Sequence, residues 1–389
     1  MAIDALMRAG VREGVFPGGV LLVSRGEELL FHRAYGQQSL FTHDPVTLDT
    51  FFDLASLTKP LATALAVATL VDRGCLFPDR PLGSLVDCGK DDHKKVITID
   101  QLLRHTAGFP AHRPFYLSLV KMPRTHRRQA LRQQIMAEPL IHPPGAGQVY
   151  SDLGYMVLSW VVESITGLHL DRFVKDTFFD PLGLDLFFRP LGESDVSPGP
   201  EQRFAATEKC PWRGRILTGE VHDDNAWAVG GVEGHAGLFG TARAVGKLLV
   251  YILAALKDTS IPHLPTPKTR HPVPRIQNPA PSTQNPKPRT QHPFSPIPGR
   301  VLREFVKKES HAERVAGFDT PSPRGSSAGT GFSPGALGHL GFTGTSFWME
   351  PDSSVIVVLL TNRVHPCRNN IKIRQFRPRL HDAVMETVK

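Results

Sequence analysis

The chain has 389 residues, 41% of them hydrophobic and 21% charged, a globular balance that excludes a wholly disordered chain, a collagen-like fibre and a coiled coil. Its formal net charge is +8, but residues 259–298 hold five Lys/Arg and no acid, so the remainder is close to neutral and no nucleic-acid partner is expected. No run approaches the ~20 apolar residues that cross a bilayer, so no membrane span is expected either.

The opening residues show no continuous apolar stretch and no small-residue cleavage site, which predicts a cytoplasmic protein. Residues 2–14 carry Ile3, Leu6, Met7 and Val11 at helical spacing and predict an amphipathic helix. The apolar runs Gly18–Ser24 and Glu28–His32 flank Arg25-Gly26-Glu27, a β-hairpin signal. Leu61–Arg73 is apolar nearly all round and predicts a buried helix closed by Gly74. Residues 98–104 and 154–167 predict two further helices. Strands return at Gly344–Met349 and Ser354–Thr361, and a last helix fits Ile373–Val388. Antiparallel hairpins at both ends with helices between them argue against a doubly wound parallel sheet. The expected organisation is a sheet domain from 1–60 plus 300–389 and a mainly helical domain over 61–257. Residues 258–299, rich in proline and poor in apolar residues, form an insert unable to bury a core. Cys75, Cys88, Cys210 and Cys367 are irregularly spaced and read as reduced thiols.

Three segments carry chemistry. In Asp53-Leu54-Ala55-Ser56-Leu57-Thr58-Lys59-Pro60, a loop enters the buried helix, and spacing i, i+3 puts the Ser56 hydroxyl and Lys59 amine on one face. A desolvated neutral lysine there could deprotonate the serine, whose own N–H could stabilise an oxyanion. A second match, Ser118-Leu119-Val120-Lys121, lacks the strand–loop before it and the apolar helix after it, and reads as chance. In Pro144–Asp152 a Pro/Gly loop delivers Tyr150 and, two positions on, Asp152; a phenol beside an ammonium can relay protons. In Gly338-His339-Leu340-Gly341-Phe342-Thr343-Gly344 the glycines allow close backbone approach, and His339 could supply positive charge. Read alone, the first segment is equally explained by a helix cap with a surface lysine, while a buried tyrosine and a glycine-rich strand edge explain the second and third better than chemistry does.

Together and in this order they resemble the serine β-lactamase and penicillin-binding protein family, whose pattern is Ser-x-x-Lys, Tyr-x-Asn, Lys-Thr-Gly. Within it the chain looks like the branch of class C β-lactamases, family VIII carboxylesterases and D-stereospecific peptidases. Further matches are Phe16–Gly19, Leu102–Pro110, Pro181–Leu184, Gly234–Phe239 and Leu360–Arg363. The resemblance implies a β-lactamase/transpeptidase-like α/β (α+β) fold, an antiparallel sheet flanked by helices with an inserted all-helical domain. It also implies Ser56 as the acyl-enzyme nucleophile, with Lys59 and Tyr150 sharing acid–base work. The N–H groups of Ser56 and Phe342 would form an oxyanion hole, with Asp152, His339 and Gly341 at the substrate. No cofactor and no metal is implied, and the histidines show no ligand spacing. Asp152 stands where asparagine is usual and His339-Leu340 where Lys-Thr is usual. Losing lysine and threonine weakens recognition of a carboxylate, so a small-molecule ester is the leading substrate class, with weak or secondary β-lactam hydrolysis. A β-lactamase proper or a D-amino-acid peptidase or amidase are alternatives, and a non-catalytic scaffold is the alternative of another class.

Overall fold

The computed structural model describes residues 2–192, 203–259, 298–308 and 314–388. Most of the proline-rich insert therefore lies outside the described residues. The expected N-terminal hairpin forms from β1 (Gly18–Arg25) and β2 (Glu28–Gly36), turning at Gly26 with φ 55°, a left-handed conformation that suits glycine. Five short strands follow: β3 (Phe52–Asp53), β4 (Leu186–Phe188), β5 (Lys209–Cys210), β6 (Arg215–Ile216) and β7 (Leu238–Gly240). β7 lies between β3 and β4, while β5 pairs with β6. The late chain supplies β8 (Arg314–Val315), β9 (Phe318–Asp319), β10 (Leu337–Leu340), β11 (Ser346–Met349) and β12 (Val355–Thr361).

These close an antiparallel sheet of order β2-β1-β12-β11-β10-β9-β8. The first strand thus pairs with the last, Gly19 opposite Thr361 and Arg25 opposite Val355. Both central strands are apolar without alternation because both sheet faces are covered. Leu21, Val23, Val357 and Leu359 pack under the two terminal helices, Ala2–Arg12 and Ile373–Val388, with Met7, Phe376 and Leu380. Val20, Leu22, Val358 and Leu360 face the opposite way, into the main core. There the helix Ala242–Lys257 lies on β1 and β12, its Gly246 so close that a Cβ would sit 3.0 Å from Leu22. This helix belongs to the sheet layer by contact, although it falls within the mainly helical stretch of the sequence.

The predicted buried helix begins earlier than its apolar run, as a wide π-helical turn over Lys59–Ala64 that continues as an α-helix over Leu65–Asp72. Against it packs the helix Asp152–Thr166, capped by the Ser151 hydroxyl and closed by Gly167 at φ 68°. Motifs one and two therefore sit at the starts of two packed helices. The helix Arg124–Ala137 was not expected, because its polar sequence leaves only a thin apolar stripe at Leu131 and Ile135. Among the described residues no single helix is long and apolar enough to cross a membrane.

Candidate active site

Ser56 lies in a 3₁₀ turn directly after β3. The residue before it, Ala55, has φ 49°, a left-handed conformation that costs an alanine ~1 kcal/mol or more. Asp53 holds the turn in place. Its buried carboxylate accepts from Ala55 N at 2.8 Å and from His222 N at 2.6 Å. The third motif is fastened to the same turn: the Thr343 hydroxyl donates to Asp53 O at 2.7 Å, and Thr345 to Leu54 O at 3.0 Å. Gly341 is required there, because a Cβ would fall 2.7 Å from Leu54 O and 2.0 Å from Thr345 Oγ1. Asp53, Thr343 and Thr345 were not singled out by sequence, since each works through a contact to backbone: Asp53 at Ala55 and His222, and the threonines at carbonyls some 290 residues away.

Lys59 is fully buried and its ammonium has three acceptors: Ser56 Oγ at 3.0 Å, Asp152 Oδ1 at 2.7 Å and His235 O at 3.4 Å. Burial alone would lower its pKa, but Asp152 and Tyr150 outweigh burial and raise it above the ordinary lysine value. Burial likewise would raise Asp152, yet Lys59, His112 and His235 hold it well below the usual carboxylate range. The neutral lysine expected from the sequence is thus corrected: a carboxylate at 152, in place of an amide, keeps Lys59 charged.

The Lys59 ammonium stands 4.7 Å from the centre of the Tyr150 ring. Burial raises the phenol's pKa, with Lys59 and Ser56 opposing it in part. His105, at φ 61°, packs with its ring tilted against Tyr150 at 4.7 Å and Tyr155 at 5.1 Å, and accepts from Ser151 N at 3.0 Å through Nδ1. Burial keeps this histidine neutral, its pKa well below 6.5. His105 lies in the Leu102–Pro110 run and acts as a positioning residue for the second motif.

His339 is 2% exposed, and its Nδ1 lies 3.0 Å from Leu340 O. Burial lowers its pKa to about 4, and Lys59 and Arg314 push it the same way. The cation expected at 339 is therefore neutral, because a buried imidazole beside two permanent cations does not take up a proton near pH 7. Phe342, by contrast, is half exposed, stacked on His222 at 5.6 Å and under Arg363 at 4.6 Å. The second Ser-x-x-Lys match stays apart: Ser118 Oγ is engaged with Phe115 O at 2.9 Å and Gln134 Oε1 at 3.0 Å.

Asp152, Asp223 and His235 bring donor atoms within 4.8 Å of one another and are the described residues that could hold a metal ion. They are already matched internally: Asp152 with Lys59, and Asp223 Oδ1 with His235 Nε2 at 2.9 Å. Sequence spacing missed Asp223 and His235, which converge only through folding.

A serine hydrogen-bonded to a buried lysine, a phenol beside that lysine and a glycine-bearing strand tied to the serine turn are together the arrangement of a serine hydrolase. The Beta-lactamase family model matches residues 3–377, and the chain belongs to that family. An Escherichia coli (strain K12) protein named "Putative D-alanyl-D-alanine carboxypeptidase" is 30% identical over 383 residues, covering 90% of this chain and 79% of that protein. Among solved structures, SurE superposes with TM-score 0.67 at 23% identity, covering 98% of this chain and 75% of the other. EstCE1, described as a hydrolase with promiscuous acyltransferase activity, superposes with TM-score 0.64 at 18% identity, covering 97% of each chain. These two likenesses carry the fold alone.

Proposed function

We propose that this chain is a serine peptidase or amidase acting through an acyl-enzyme on peptides that end in D-amino acids. The observation that carries the acyl-enzyme is the 3.0 Å contact from Lys59 Nζ to Ser56 Oγ. The D-alanyl substrate class is supported by the name of the 30% identical relative. Because Lys59 is already protonated, Tyr150 is the group that takes the Ser56 proton, through its minor phenolate form, which the neighbouring ammonium favours against the opposing effect of burial. Ser56 Oγ attacks the carbonyl, and the developing oxyanion is met by the N–H groups of Ser56 and Phe342. Tyr150 then gives the proton to the leaving nitrogen. Water attacks the acyl-enzyme, Tyr150 accepts its proton, and the acid is released with Ser56 restored.

A carboxylesterase is the second reading, favoured by one observation: neutral His339 and Leu340 offer neither charge nor hydroxyl to a substrate carboxylate. The two are separated by incubating the protein with a D-alanyl-D-alanine peptide and with p-nitrophenyl esters, beside a Ser56→Ala control. Release of D-alanine that is lost in Ser56→Ala supports the peptidase. Ester turnover without D-alanine release would leave only the esterase, and no Ser56-dependent turnover or labelling by a fluorescent penicillin would remove both.

A further inference from the structure

The third motif lacks the cation that would meet a substrate carboxylate, but the site itself does not. Arg314, on β8, places its guanidinium 5.3 Å from the centre of the Tyr150 ring, on the same phenol that His339 approaches at 5.9 Å. Its side chain is 29% exposed, so it is reachable from solvent while His339 is not. Asp319, across the β8–β9 turn, accepts from Nε at 2.7 Å. That bond orients the guanidinium, and among the described residues no acceptor pairs with its two Nη groups, the end of the fork suited to a carboxylate.

The hairpin carrying Arg314 is fixed to the catalytic framework at three points. Gly317, at its turn with φ 86°, packs so tightly that a Cβ would fall 2.7 Å from Ala64 in the helix that follows Lys59. Gly317 N also donates to Leu103 O at 3.3 Å. Gln148, two residues before Tyr150, donates through Nε2 to Arg104 O at 2.8 Å and to Arg314 O at 3.5 Å. The neighbouring cations are spent. Lys59 is held by Asp152, and Arg363 donates to Phe342 O, Arg368 O and Asn370 O.

We infer that Arg314, rather than His339, receives the terminal carboxylate of the substrate on the leaving-group side of the scissile bond. This rests on the peptidase reading for its natural substrate, yet it can be tested without it. The probe is a pair of activated esters of N-acetyl-D-alanine, one with phenol and one with 3-hydroxybenzoic acid as leaving group. They differ by one carboxylate. The wild-type protein is expected to prefer the 3-carboxyphenyl ester, chiefly through KM. In Arg314→Gln the ratio of the two kcat/KM values should fall ten- to a hundredfold toward one, the range of a charge-assisted hydrogen bond. Arg314→Lys, which keeps the charge but not the fork, should fall between.

A structural role alone would lower both esters together and leave the ratio intact, which would overturn the assignment, as would a wild-type ratio near one. Thermal melting of each variant separates loss of fold from loss of recognition. If both esters are turned over with the expected ratio but a D-alanyl-D-alanine peptide is not cleaved, the peptidase reading fails while the role of Arg314 stands.

Discussion

Lys59 Nζ lies 2.7 Å from Asp152 Oδ1, joining two helix starts 93 residues apart, with the lysine wholly buried. This contact sets the protonation state of the site. The carboxylate holds Lys59 as an ammonium, leaving the phenol of Tyr150 as the group free to exchange a proton.

Asp152→Asn should make stability pH-dependent in a way the wild type is not. In the wild type, Lys59 has a raised pKa and Asp152 a lowered one, so the pair's contribution persists across pH 5–9. It is lost only above the folded lysine pKa or below the folded aspartate pKa. With asparagine, burial dominates and lowers Lys59, so unfolding takes up a proton as pH falls. Breaking a buried pair costs ~3–5 kcal/mol, and less where the lysine can shed its charge. Urea denaturation should therefore show the variant's deficit growing from pH 9 to pH 6. A constant deficit would mean that the lysine stays charged without its partner.

Turnover should rise with pH through the neutral range, about tenfold per unit while Tyr150 remains mostly phenol, because its base form is the minor species. Tyr150→Phe should lower kcat/KM ~100-fold or more and flatten that slope. Combined with Lys59→Ala, the losses should be far from additive, since the two act as one unit. A pH-rate slope that survives Tyr150→Phe would assign the base elsewhere.

His339 should not titrate between pH 5.5 and 8, which imidazole proton NMR can follow directly. With Tyr150, Arg314, Lys59 and Asp319 around it, its pKa of about 4 is far below the ~6.5 of an unfolded histidine. The unfolded chain therefore binds a proton first as pH falls, and stability drops between pH ~6.5 and about 4 by up to about 3 kcal/mol from this group. His339→Gln should show a correspondingly smaller loss over that window. An imidazole midpoint near 6.5 would restore the cation expected from the sequence.

Gly341→Ala should uncouple the third motif from the serine turn. The added methyl meets Leu54 O, which cannot withdraw without moving backbone, and Thr345 Oγ1, which can rotate away only by giving up its hydrogen bond to Leu54 O. A displacement of about 1 Å at a catalytic site can cost 10²-fold, so activity should fall by about that factor while circular dichroism is preserved. Activity near the wild-type level would show that β10 does not set the oxyanion geometry.

The sequence by itself determined the antiparallel sheet shared by both ends of the chain, because apolar strands buried on both faces and their turn residues are local signals. It also determined the three motifs, because Ser56 and Lys59 are one helical turn apart and Tyr150 and Asp152 flank a helix cap. What only the tertiary structure decided was charge. Whether Lys59 is neutral depends on Asp152, and whether His339 is a cation depends on burial among strands and on Lys59 and Arg314. Asp223 meets His235, and Arg314 meets Tyr150, across chain separations that no local spacing encodes. A pKa is a sum over neighbours and lost solvent, and both exist only once the chain has folded.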